Sequence, residues 1–140
     1  MDLYSSNSSV QEHGCGILSA MALREPQNSR AIIAANGPYY VACAMRKFPN
    51  SIPLQRQGAL CWRNLASRLR NDEKMALLDF GAEIILREIS AMHQGSIDET
   101  YAALRDLGCE VVKYNIDETG HARGTQMFGN VQSNFRPVYD

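Results

Sequence analysis

Gln57-Gly58-Ala59-Leu60-Cys61-Trp62-Arg63-Asn64-Leu65-Ala66 decides how this chain folds, because its surroundings recur elsewhere in the sequence. Gly58 lies 44 residues after Gly14, and Gly81 lies 44 residues after Gly37. Between these glycines the two copies agree in kind without a gap: Ile17 with Cys61, Leu18 with Trp62, Met21 with Leu65, Ala22 with Ala66, Ile33 with Leu77, Val41 with Ile85, Met45 with Ile89. A partial third copy follows 42 residues on, where Leu104-Arg105-Asp106-Leu107 repeats Trp62-Arg63-Asn64-Leu65. A helical period of this length means stacked units, each too small to bury its own apolar face. Function is then expected on a surface, not in a closed active site.

The chain has 140 residues, one domain's worth, enough to bury a real core. Hydrophobic residues make up 45% and charged residues 21%, and the formal net charge is −1. That balance provides no global field to recruit nucleic acid or a membrane surface. The start, Met1 to Ser6, has no basic region followed by an apolar run, and no apolar stretch nears the ~20 residues that span a bilayer. Cys15, Cys43 and Cys61 fall on apolar helical positions, so these three read as small buried hydrophobes in a reducing, cytoplasmic or nuclear compartment; Cys109 stands apart, and no Cys-x-x-Cys pair occurs.

The spacing predicts helices over 10–23, 29–35, 38–48, 54–69, 72–80, 82–92 and 97–107. Ser9 with Glu12, and Ser96 with Glu99, have the spacing of capping boxes. Gly37 is expected to take the left-handed conformation that ends a helix, Gly81 to break the helix before it, and Gly108 to stop the last one. Residues 1–8 read as a flexible N-terminus and 9–112 as the repeat domain, divided into a partial unit (9–23) and two units (28–70, 71–108). Residues 113–140, rich in Gly and Asn, read as a flexible tail; Val111-Val112-Lys113-Tyr114 is strand-like in composition without an obvious partner.

This plan resembles the armadillo-repeat family. The likeness rests on Asn71 to Gly81, on the apolar helix Ala82 to Met92, and on Gly58 to Ala66; it covers residues 8–109 or so. It implies an all-α, right-handed α-solenoid of three-helix repeats. It also implies a non-catalytic scaffold that binds an extended peptide or partner protein along a groove lined by its third helices. Family arrays often hold more units, so the chain reads as a piece or a truncated relative. In a piece, Ile17 and Met21 would be partly exposed and self-association would follow.

The residues of that groove can be named. At about 100° per residue, one face of the 54–69 helix holds Leu54, Gly58, Cys61, Trp62, Leu65 and Leu69, which read as core. The opposite face holds Arg56, Leu60, Arg63, Ser67 and Arg70, with Asn64 at its margin. Arg offers planar donors to carboxylates, and Asn can bond both groups of an extended backbone. An acidic or backbone-reading peptide groove is one reading; a solvated basic face is the other. Nucleic-acid binding through the Arg56–Lys74 basic face is the alternative from another class. Asn64 matches the groove asparagine of peptide-binding armadillo proteins, but Leu60 stands where the nuclear-import adaptors place tryptophan, and Ala20 and Asp106 replace Asn64 in the other copies. Binding of nuclear-localisation signals is therefore not expected. His13, His93 and His121 are far apart and lack metal or nucleophile spacing. Gly120 to Gly124 is no phosphate loop, and Asp98, Glu99 and Asp106 read as an acidic solvated face. No catalytic residue, metal or cofactor is expected.

Overall fold

The computed structural model describes residues 1–94, 97–116 and 122–127. The helices are α1 (Ser8–Ala22), α2 (Pro26–Ala34), α3 (Gly37–Lys47), α4 (Ile52–Ala66), α5 (Asn71–Asp79), α6 (Ala82–Met92) and α7 (Asp98–Leu107). Strands β1 (Val111–Ile116) and β2 (Ala122–Met127) follow. The fold is all-α as far as Cys109, in the order long, then short, medium, long, then short, medium, shorter.

The helix ends follow local chemistry. Asn7, not Ser9, caps α1: its side chain accepts from the Val10 N–H at 3.1 Å. Ser9 Oγ instead lies 3.5 Å from His13 Nδ1. The helix expected at 29–35 starts earlier, because Pro26 occupies its first turn, where a missing N–H does no harm. Likewise Pro53 lies inside the first turn of α4. Gly81 and Gly108 take left-handed φ values of 85°. Gly37 does not; Asn36 takes that conformation instead (φ 65°). The reason for glycine at 37 is proximity, since a Cβ there would come within 2.5 Å of Ile32 Cγ2. The expected box of Ser96 with Glu99 involves Ser96, which lies outside the described residues.

Two sequence-based expectations are corrected. Residues 1–7 are not a loose end but fold back on α1. Gln11 is buried and donates to the carbonyls of Met1 (2.8 Å) and Tyr4 (2.9 Å). One period later, Gln55 donates to the carbonyls of Met45 (2.9 Å) and Phe48 (2.8 Å). Met1 sits over Gly14 as Met45 sits over Gly58; a Cβ on either glycine would meet the methionine Cγ at 2.7 Å. The first residues thus repeat the end of α3. The second correction concerns the tail, where β1 and β2 pair antiparallel, with Val111 opposite Met127 and Ile116 opposite Ala122. Val111 to Tyr114 therefore has its partner, and Gly124 stands in a strand opposite Tyr114. The remaining tail positions, among them Gly120, His121 and Gly129, lie outside the described residues.

The long helices make the core. α4 lies between α1 and α7, and these are the two most extensive helix–helix interfaces; α3 and α6 touch far more lightly. With a neighbour on each side, α4 buries Leu54, Gly58, Cys61, Trp62 and Leu65 as expected, and also Gln55, Ala59, Asn64 and Ala66; the helix ends at Ala66, earlier than expected, and Leu69 is buried in the turn that follows.

Candidate protein-interaction face

The exposed edge of α4 carries Arg56, with Leu60 and Arg63 half-buried beside it, and the exposed Ser67 follows at the end of the helix. Asn64 does not join them. It is buried against α1, where its amide donates to the Ser19 carbonyl (3.1 Å) and to Ser19 Oγ (2.9 Å). Exposing it to read a peptide would strand those groups, each a buried polar atom that costs about 1–3 kcal/mol when unpaired. Its backbone carbonyl accepts from Ser67 Oγ at 3.1 Å. Asn64 is thus an inter-helix tie. The ±100° wheel missed this because it treats a helix as having one buried side, and α4 has two.

The arginines are answered from the next layer. Arg63 Nε lies 3.3 Å from Asp106 Oδ2, and Arg56 Nε lies 3.9 Å from Glu99 Oε2. Arg30 and Glu73 repeat this pattern between α2 and α5, at 2.6 Å. His93 reaches the Pro49 carbonyl at 2.8 Å, 44 residues away. The first two partners are the acids that read as a solvated helix face. The signal that ties them to the arginines was in the sequence: Glu99 and Asp106 each stand 43 residues beyond their arginine, close to the repeat period. At the far end of the basic patch, Arg70 is paired with Asp72 (3.5 Å) and Glu73 (3.4 Å).

Glu73 is the most strongly perturbed carboxyl. The hydrogen bond from Arg30, and next the one from the Arg70 backbone N–H, hold it at about 2, against an ordinary 4.5. A carboxylate depressed in the folded state stabilises fully above its unfolded value and loses that contribution as pH falls through the folded one. Thermal unfolding between pH 4.5 and 2 should show it. Glu73→Gln is expected to flatten the acid-induced fall in Tm across that window. Equal slopes for the variant and the wild type would mean that the pair is not linked to folding.

All four cysteines are free thiols. Cys15 and Cys61 are buried as expected, Cys109 is buried as well, and burial pushes the thiols up, to about 12 for Cys15 and Cys109. Cys43 departs from the expectation: it is exposed on α3, at the Tyr39 side chain. His13 bonds the Ser9 carbonyl one turn back (2.6 Å). Among the described residues no cluster of His, Cys, Asp or Glu could hold a metal ion, and no helix is long and apolar enough to cross a membrane.

Ile17 and Met21 are exposed. No family model, no curated protein and no solved structure matches this chain.

Proposed function

We propose that this chain is a segment of an armadillo-type, right-handed α-solenoid and acts as a non-catalytic protein-binding module. The observation that carries this reading is the unequal packing between layers. The long helices α1, α4 and α7 press closely together while the medium helices α3 and α6 barely touch. Layers that are closer along one edge than the other curve toward that edge, so the long helices line the inside of the bend. Such a concave surface is what stacked-repeat proteins offer to a ligand.

On that surface Arg56, Leu60, Arg63 and Ser67 remain the contact residues, and Asn64 drops out. Arg56 is the most available, since its pair with Glu99 is long and its side chain is 54% exposed. Exposed pairs of this kind contribute about 0–1 kcal/mol, so a carboxylate of an extended segment can replace Glu99 at small cost. Leu60 gives the same segment an apolar contact one turn further on. Glu99 and Asp106 beside the arginines favour a peptide over a nucleic acid, because they would repel a run of phosphates.

The test is selection of peptides from a displayed library on the immobilised chain, repeated with Arg56→Glu/Arg63→Glu. Peptides recovered by the wild type should weaken at least about tenfold on the double variant, a loss of about 1.4 kcal/mol. Peptides that bind both proteins equally would place the binding elsewhere. Salt decides the rival class: a steep, sequence-independent loss of RNA or DNA binding with rising salt would overturn the protein-binding reading.

A further inference from the structure

The α1 side of the stack presents a groove of about 560 Å³, walled by Met1, Ile17, Leu18, Met21, Ala31 and Tyr40. Ile17 is 62% exposed and Met21 50%. Cys61 and Leu65, at the same repeat positions in α4, are fully buried against their surroundings, where α1 makes the largest interface. The groove is therefore the receiving side of an interface that already exists one layer further on.

What covers that side in α4 has a definite chemistry. α1 turns the edge Gln11, Cys15, Ser19 and Ala22 inward, small side chains above one another once past the glutamine, all buried. We propose that the groove of α1 is a docking surface for one more helical layer of the same construction, a partner unit whose long helix carries small side chains four apart. This rests on the stacked construction and not on the peptide-binding face.

A second observation supports the placement. The segment from Met1 to Tyr4 occupies the seat that the end of α3 occupies in the next unit, with the same pair of glutamine hydrogen bonds and the same methionine over glycine. A layer ending in that segment would lay its long helix over Ile17 and Met21, as α1 lies over Cys61 and Leu65. A second copy of the chain fits less well. Its small-residue edge on α1 is already buried, and α7 places Tyr101 where α4 has Ala59 and α1 has Cys15. The larger ring cannot take a seat made for small side chains.

The experiment supplies the partner unit directly: the full chain with residues 1–44 duplicated ahead of Met1, carrying Met21→Leu in the added copy. The readout is sulfoxidation by dilute hydrogen peroxide, followed by mass spectrometry, at the original Met21 and at Met92. These two are 50% and 51% exposed, so in the unextended chain they should oxidise at similar rates. In the extended chain Met21 should slow by about tenfold while Met92 does not change. Tm should rise by about 3 °C or more, with light scattering giving a monomer. Ile17→Arg in the original copy should cancel that rise, yet leave the Tm of the unextended chain unchanged. Unaltered oxidation of Met21 in a helical extended chain would overturn the proposal, and so would loss of helical signal on extension, since a matching layer must fit. An unextended chain that is already a dimer, dissociated by Ile17→Arg, would assign the face to a second copy instead.

Discussion

Trp62→Ala is expected to remove about 3–5 kcal/mol of stability, the range for deleting a large core aromatic. A domain of this size has about 5–15 kcal/mol in total, so the variant should melt far below the wild type or fail to fold. Trp62 is fully buried in the middle helix, and its indole N–H points at Met45 Sδ, 3.3 Å away. Met45 in turn lies over Gly58, so the ring, the thioether and the bare helix backbone form one packed unit. Trp62→Phe keeps most of the volume and should cost much less. Chemical denaturation of both variants provides the comparison; an alanine variant with the wild-type midpoint would remove Trp62 from the core.

The second large effect separates two residues that the sequence treats as the same. Leu65→Ala should cost about 2–5 kcal/mol, whereas Met21→Ala should stay within about 0.5 kcal/mol. They are equivalent positions, 44 residues apart, on successive long helices. Leu65 is fully buried, and Met21 is half exposed at the open side of α1. Denaturant midpoints of the two single variants are enough to measure it. Similar costs would show that Met21 is covered in solution, and the open receiving face would have to be abandoned. Met21 should become costly only when a further layer lies over it, which links this pair of variants to the docking proposal.

The polar contacts between layers set limits on the ligand. Arg63 is held by an acid 18% exposed, and Asn64 is taken out of reach by Ser19. Arg56 is the residue with the loosest internal partner, so acidic-peptide recognition should be centred there and fade toward Asn64. In the peptide-binding reading proposed above, selectivity would come from one exchangeable pair at Arg56 and an apolar contact at Leu60.

The helices were legible around residues 57–66 because apolar positions such as Trp62 and Leu65 recur there at helical spacing and again about 44 residues away. Helix ends were less legible. Asn36 rather than Gly37 adopts the left-handed turn, since the choice between them depends on how close Ile32 comes. The antiparallel pairing of Val111–Ile116 with Ala122–Met127 was hidden because a hairpin's partner is fixed by backbone hydrogen bonds, and neither strand has a strong alternation of its own. Periodicity alone thus determined the helices, their order and the buried face of α4. Only the tertiary structure decided that Asn64 is a tie and that Glu99 and Asp106 answer Arg56 and Arg63. It alone also decided that the first seven residues belong to the stack. These depend on which helices become neighbours, and a helix whose two flanks are both covered has polar positions that no single-helix pattern can assign.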